Sequence, residues 1–401
     1  MKKKEEKIAV VMYNYIQYLS IMPGIRELIK QGYDVDFYVA KFNDSFGWDD
    51  IQADVLKVLK KEGYKVYRKS QNIHYKIVLE PYLNDFTKDA KYYIRYRYGP
   101  LCTTKPNKVM LPKLLLHFDC AICSGPYEEK ILNPYANTVA VADLKYMNFK
   151  RNNKPRKDGK KVLLYLPTFD KESSIDQIAN ELGKLKKQYY IIGKFHHGTS
   201  FLHIENERLD KLKGVVDECY DLHTELKTLL ERADVVLSDN SGAIYEAMIN
   251  RIPVALFSKD INQNRIGDYS TTQYELYQKG ILPYTDDPNS IGKVLKKALS
   301  DKIIKAQNKW AKENFTYSKD PVGDFVKVID DYYNDNIDER DYLLRRIIND
   351  ELKEREALEI KNEKQLKELN EYRNGKLYKL AKKIYITKSR IRSLFHKQKR
   401  D

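Results

Sequence analysis

The sequence predicts an α/β protein of two Rossmann-like domains facing a cleft, with a helical, basic C-terminal extension. Three observations carry this prediction. Apolar, β-rich runs alternate with helical stretches up to about residue 149. The alternation breaks at KRNNKPRKDGKK (150–161), rich in Lys, Asn, Pro and Gly. A second alternating series then begins at KVLLYLP. The expected organisation is a first Rossmann-like domain at 1–149, a linker at 150–161 and a second Rossmann-like domain at 162–325. A helical extension (326–373) and an amphipathic tail (374–401) follow.

In the first half, KIAVVMYN is a strand, IMPGIRELIKQG a helix stopping at Gly32, and YDVDFYVA a strand. Such a βαβ unit takes a right-handed parallel crossover. A helix over 48–62, strands near 64–67 and 75–79, and the Tyr- and Arg-rich YYIRYRYG (92–99) come next. FDCAICSG is a strand, PYEEKILNPY a helix, and NTVAVAD the last strand of this half.

In the second half, KVLLYLP is a strand, SIDQIANELGKLKKQ a helix and YYIIGKF a strand ending in HHGT. LHTELKTLLERA is a helix, and DVVLSDNSG a strand running into a tight turn. SGAIYEAMINR and IPVALFS supply a further helix and strand. Parallel sheets bind ligands beyond the carboxyl ends of their strands, where His196, His197 and the stretch from Ser238 to Gly242 fall.

Helix formers fill 338–373 with imperfect heptad spacing, compatible with a short helical hairpin or a loose coiled coil. Residues 374–401 hold ten Lys and Arg against one Asp, a local +9 out of the chain's formal +15. On a helical wheel, Leu377, Leu380, Ala381, Ile384, Ile391 and Phe395 share one side. Lys379, Lys382, Lys383, Arg390, Lys397 and Arg400 take the other, and Lys388 lies near the apolar stripe. This pattern suits an anionic membrane surface, which is the expected partner of residues 374–401; a disordered basic tail or a helix packed on the protein itself is the alternative.

Composition removes several function classes. With 42% hydrophobic residues in 401 the chain has material for real cores. Four cysteines are too few for a disulfide scaffold, and Cys120 and Cys123 lack a second pair to complete a zinc site. No stretch approaches the roughly 18 apolar residues of a membrane span, and the short apolar run at the N-terminus is a first strand. The expected location is cytoplasmic and peripheral, at the inner face of the membrane. Setting the tail aside leaves +6, and no zinc-finger, RNP-like or helix-turn-helix signature is evident, so no nucleic-acid partner is expected.

SDNSGAIYEAM (238–248) is the most informative segment. A strand delivers Asp239 to the sheet edge, and a helix opens at Ser241–Gly242, whose free N–H groups suit an anion. Ser241 adds a hydroxyl, Gly242 leaves room for a phosphate, and Glu246 can accept ribose hydroxyls. An ordinary capped helix accounts for the same residues. In GKFHHGT, Lys194, His196 and His197 stand at a strand end: imidazole can take a proton, and a cation can neutralise pyrophosphate. In YLPTFDKESSID, Pro167 ends a strand and Thr168 lies in the loop, while Ser173–Ser174 are explained by capping. Arg95 and Arg97 share one side of a possible strand, an arrangement single-stranded nucleic acid could use.

Taken in order, FDCAICSGPYEEKIL, KVLLYLPTF, KFHHGT and ADVVLSDNSGAIYEAMINRIPVALF resemble the CDP-glycerol glycerophosphotransferase family of teichoic-acid and capsule polyol-phosphate transferases. The resemblance covers roughly 110–260 by motif and 1–320 by layout. It implies a GT-B-like fold, a CDP-activated polyol donor, a glycan or lipid-linked polymer acceptor, and no obligatory metal or other cofactor. By match, Ser238, Asp239, Ser241 and Gly242 fall in the family's pyrophosphate loop, with Asn240 between them. Pro167–Thr168 fall in its PT turn, and His196 in its lysine–x–histidine segment. The expected catalytic residues are His196, His197 and Asp239. The expected donor-binding residues are Lys194, Thr168, Ser238, Asn240, Ser241, Gly242 and Glu246, and no metal site is expected. In one respect the chain departs from the family. The first domain has only His74 and His117, neither followed by glycine, so the histidine–glycine segment proposed as base in wall-acid polymerases is missing. A GT-B glycosyltransferase using a sugar nucleotide is the rival enzyme reading.

Overall fold

Seven parallel strands form the first sheet: β1 (Lys7–Met12), β2 (Asp34–Val39), β3 (Val66–Tyr67), β4 (Tyr75–Glu80), β5 (Ala90–Arg95), β6 (Cys120–Cys123) and β7 (Asn137–Ala140). Their spatial order in this computed structural model is β3-β2-β1-β4-β5-β6-β7. The structure describes residues 5–40, 52–82, 89–97, 99, 117–133, 136–152, 154–169, 173–196, 205–221, 223–239, 241–258, 265–266, 269–270, 272–375, 378–380 and 382–385.

The central strand β1 is buried on both faces, which is why KIAVVM is a nearly unbroken apolar run. Val10 pairs with Phe37 on one side and Leu79 on the other. The helix Tyr15–Lys30 starts where the Asn14 side chain accepts the Gln17 N–H at 3.0 Å, and it ends before Gly32, whose φ of 93° a side chain would resist. The helix expected over 48–62 is described as Ala53–Lys61.

The second sheet is also parallel: β8 (Lys161–Leu166), β9 (Tyr189–Lys194), β10 (Glu218–Tyr220), β11 (Val235–Ser238), β12 (Val254–Phe257) and, after the small antiparallel pair β13 (Arg265–Ile266) and β14 (Tyr269–Ser270), β15 (Tyr284–Thr285). Its order is β10-β9-β8-β11-β12-β15, so strand order reverses between β8 and β11. Leu164 of β8 sits between Ile192 and Val236 in this core. The linker is held to this domain: Asn152 N–H donates to the Glu231 carbonyl at 2.6 Å, and the Arg156 guanidinium lies 3.6 Å above the Tyr190 ring.

The boundary expected at 325 needs correcting, because it cuts the helix Pro321–Tyr333. That helix follows Asp301–Asn314 of the second domain yet buries Phe325, Ile329 and Tyr332 in the core of the first. Gly24 permits the contact, since a Cβ there would lie 2.3 Å from the Phe325 ring. The irregular segment between these two helices passes so close to Gly125 that a Cβ there would lie 2.6 Å from Phe315 Cα. Thr316 N–H donates to the Ser124 carbonyl at 2.7 Å. Asp335 then accepts from Lys76, Lys91 and Tyr92.

The next helix, Glu339–Asn374, is continuous, which removes a hairpin within 338–373. Residues 1–345 form one compact unit and 346–401 another. Of the tail, residues 376–377, 381 and 386–401 lie outside the described residues. No described helix is long and apolar enough to cross a membrane.

Candidate active site

Because all strands of a sheet run the same way, their carboxyl ends gather on one edge. In the second sheet that edge brings Leu166, Lys194 and Ser238 together with the loops that follow them. Ser238, fully buried, donates from its hydroxyl to the Leu166 carbonyl at 2.5 Å and ties β11 to β8 at the reversal point.

Asp239 follows at once and is only 1% exposed. One carboxylate oxygen accepts the Thr168 N–H at 2.7 Å; the other accepts the Ser174 N–H at 3.0 Å and the Ser174 hydroxyl at 2.8 Å. Tyr165 completes the set by donating its hydroxyl to Ser174 Oγ at 2.7 Å. Capping is therefore not what Ser174 does, since its side chain makes no cap hydrogen bond. Burial lifts the Asp239 carboxyl to about 7, and the hydrogen bonds from Ser174 and Thr168 oppose that rise. Asp239 thus clamps the loop after β8 onto the turn after β11.

Ser241 N–H donates to the Asp239 carbonyl at 2.8 Å, and Ser241 Oγ accepts the Ala243 N–H at 3.3 Å, opening the helix Ala243–Ile249. Gly242 has an ordinary helical φ of −62°, and a Cβ built there meets nothing within 4 Å. The glycine leaves open space rather than serving a strained turn.

Lys194, at the end of β9, donates from Nζ to the Asp221 carbonyl at 2.8 Å. Burial pulls its pKa down to about 8, while the Asp221 and Glu246 carboxylates pull it back up. Two residues on, the His196 ring stacks on Phe169, centroids 4.6 Å apart and planes inclined by 16°. His197 and Asn240 lie outside the described residues.

Glu246 links this edge to the first domain. Its Oε2 accepts from Lys145 Nζ at 2.9 Å and from the Tyr146 hydroxyl. Lys145 and Tyr146 come from the 3-10 turn Leu144–Tyr146, whose cap, Asp143, also pairs with Arg97 at 3.3 Å. Burial works against the Lys145 ammonium, yet Glu246 and Asp143 hold its pKa above the usual lysine value. Burial likewise opposes the Asp143 carboxylate, but Lys145 and Arg97 keep its pKa below the usual range. Arg97–Asp143–Lys145–Glu246 is therefore an alternating chain of charges, nearly buried, that joins the two sheets' facing edges.

Of the expected residues, Thr168, Ser238, Asp239 and Ser241 meet around one clamp, with His196 beside the same loop and Lys194 in the field of Glu246. Reading Arg97 as a nucleic-acid contact needs correcting: strand β5 ends at Arg95, and the Arg97 guanidinium is turned inward onto Asp143 and the Val141 carbonyl. Lys145 and Tyr146 were not among the expected residues; the available signal was Asp143 at the end of NTVAVAD, a residue type that caps turns. Cys120 and Cys123 are buried, unpaired thiols of β6, and burial pushes Cys120 up to about 12.

No protein-family model and no curated sequence matches the chain. Among solved structures, the fold is similar to a histidine-to-asparagine variant of the wall teichoic acid polymerase TagF, at 12% identity and a TM-score of 0.57, covering 83% of this chain and 90% of that one. The same variant soaked with CDPG matches at 14% identity and 0.53, covering 84% and 91%. S. aureus MnaA with UDP matches at 11% and 0.53, covering 82% and 97%. These likenesses establish the fold: two parallel-sheet α/β domains in the GT-B-like arrangement.

Proposed function

We propose that this chain transfers a polyol phosphate, glycerol phosphate or ribitol phosphate, from a CDP-activated donor to a hydroxyl of a cell-surface glycan or a lipid-linked teichoic- or capsule-type acceptor. The observation that carries the reading is the edge around Asp239, where open space over Gly242 adjoins Ser241, with Lys194 at the end of β9 on the far side of β8 and His196 just after it. The fold shared with TagF, including its CDPG-soaked variant, supports it.

In this reading the donor pyrophosphate lies over Gly242, met by the Ser241 hydroxyl and the Gly242 N–H, with Lys194 supplying positive charge. The acceptor hydroxyl attacks the β-phosphorus, a new P–O bond forms, and the anhydride bond to CMP breaks. The hydroxyl proton passes to an imidazole, and His196 stands best for it. Asp239 acts as a positioning residue, because its carboxylate is taken up by the loop. Glu246 keeps Oε1 for a ribose hydroxyl while Lys145 and Tyr146 hold Oε2. Positioning and charge neutralisation supply most of the rate, with no obligatory metal.

We place the reaction at the cytoplasmic face of the membrane, with residues 374–401 as the basic anchor; sedimentation with anionic liposomes, lost on truncation before Asn374 and at high salt, tests this. A sugar-nucleotide reaction is the competing reading, since MnaA with UDP shares the fold. Incubation with CDP-glycerol, CDP-ribitol and UDP-sugars separates the two: turnover confined to the CDP-polyols supports the proposal, and turnover confined to UDP-sugars overturns it.

A further inference from the structure

The carboxyl edge of the first sheet holds a cluster of hydrogen-bond donors that the chemistry above leaves unused. Strand order reverses there between β1 and β4, and parallel sheets take their ligands at such a reversal point. β1 ends at Met12, and the sixteen-residue helix Tyr15–Lys30 opens just behind it with Asn14 as its cap. No acidic residue stands in the first turn to meet the positive end of this helix.

Two carboxamides frame the helix end. Asn14 Oδ1 accepts the Gln17 N–H at 3.0 Å, and Gln17 Oε1 accepts the Tyr13 N–H at 2.6 Å. Main-chain donors thus fix both oxygens, and the NH2 group of each carboxamide becomes the end that can only donate. Gln17 is 0% exposed, and its Nε2 has no hydrogen-bond partner. A buried donor left in that state is costly unless a ligand accepts from it. Because Oε1 reaches back to Tyr13, Nε2 of the same planar group lies over the turn into the helix. Among the described residues nothing accepts from Asn14 Nδ2, nor from the N–H groups of Tyr15 and Ile16. The first turn therefore gathers two side-chain and two main-chain donors.

Tyr15 brings this helix end towards the second domain. Burial raises its hydroxyl pKa, and the carboxylates of Glu225, Asp54 and Glu62 add to the rise. His223 Nδ1 of the second domain lies 3.8 Å from Asp54. Those carboxylates stand around the outer end of the Tyr15 ring, so an anion is admitted on the main-chain side of the turn, where the donors are.

We propose that this helix end binds a phosphate of the acceptor, the phosphodiester next to the attacking hydroxyl. The inference rests on the transferase reading: a polyol-phosphate chain carries such a group beside its terminal polyol, and the donor phosphates are met on the other sheet. Asn14 and Gln17 hold the acceptor from the domain opposite the donor.

Glycerol 3-phosphate is the probe and glycerol its neutral counterpart, each titrated calorimetrically into the full-length chain with CDP present to occupy the donor edge. The native chain should bind the first and not the second. Asn14→Asp keeps the capping oxygen, and Asp caps as well as Asn, but it sets a carboxylate oxygen where the NH2 stood. It should melt no lower than the native chain and bind glycerol 3-phosphate at least tenfold more weakly, with CDP-glycerol affinity within twofold of native. Gln17→Glu keeps the oxygen that Tyr13 N–H needs and should weaken the probe by the same factor. A native chain that does not bind glycerol 3-phosphate, or an Asn14→Asp chain that binds it as the native one does, would overturn the proposal. Equal loss of CDP-glycerol and glycerol 3-phosphate would give the site to the donor and overturn the acceptor assignment. Probe binding weakened by both substitutions, in a chain inert towards every CDP-polyol, would uphold the anion site and overturn the transferase reading instead.

Discussion

Lys145 Nζ lies 2.9 Å from Glu246 Oε2, and this pair joins the facing edges of the two sheets with side chains only 10% and 15% exposed. Glu246→Ala would leave the Lys145 ammonium buried beside Arg97 with Asp143 as the remaining carboxylate. The expected cost is about 3 kcal/mol of unfolding free energy. Urea denaturation measures it, and Lys145→Met combined with Glu246→Ala should recover part of the loss, because the uncompensated charge is gone.

The second prediction concerns pH. Burial raises the Asp239 carboxyl from the usual aspartate value of 3.8 to about 7. The native state therefore holds a proton that the unfolded state has released, and stability from this group declines as pH rises from about 4 through 7. The full effect is at most about 4 kcal/mol. Asp239→Asn loses hydrogen bonds at every pH but lacks this slope. The gap in melting temperature between native and variant protein should narrow between pH 4 and pH 7; a constant gap would contradict the assignment.

The pyrophosphate loop gives the third. Nothing lies within 4 Å of a Cβ at Gly242, and its φ is helical, so Gly242→Val should fold normally yet fill the donor space. Ser241→Ala should weaken donor binding by about 1.5–3 kcal/mol, the worth of one charge-assisted hydrogen bond. Titration calorimetry with CDP-glycerol measures both, with circular dichroism as the check on folding. Unchanged affinity in a folded Gly242→Val chain would move the phosphates elsewhere.

A fourth concerns His196, stacked on Phe169 at the end of β9. His196→Ala should lower kcat by at least about a hundredfold, the scale of general-base catalysis, with donor affinity little changed. His197→Ala is the comparison. Near-normal turnover in both variants would place the base on another residue.

Much of the architecture was legible in the sequence because parallel strands buried on both faces are written as short apolar runs: KIAVVM, CAIC, KVLLYL and VALF each became a strand. The strand-end position of Asp239 was visible for the same reason. What it does there was hidden, since its partners Thr168 and Ser174 lie 71 and 65 residues away. Lys145 and Tyr146 escaped notice because a three-residue turn has no periodicity, and Glu246 is 101 and 100 residues from them. The return of Pro321–Tyr333 to the first domain depends on the fit of Phe325 over Gly24, which no local pattern encodes.

The central claim is attack at the β-phosphorus of a CDP-polyol, and the identity of the leaving nucleotide tests it most directly. With CDP-glycerol and a hydroxyl acceptor, phosphorus NMR and mass spectrometry of one reaction should show CMP released in step with the acceptor gaining one glycerol phosphate as a phosphodiester. Release of CDP with transfer of glycerol alone, or release of UDP from a UDP-sugar with no reaction of either CDP-polyol, would contradict the account.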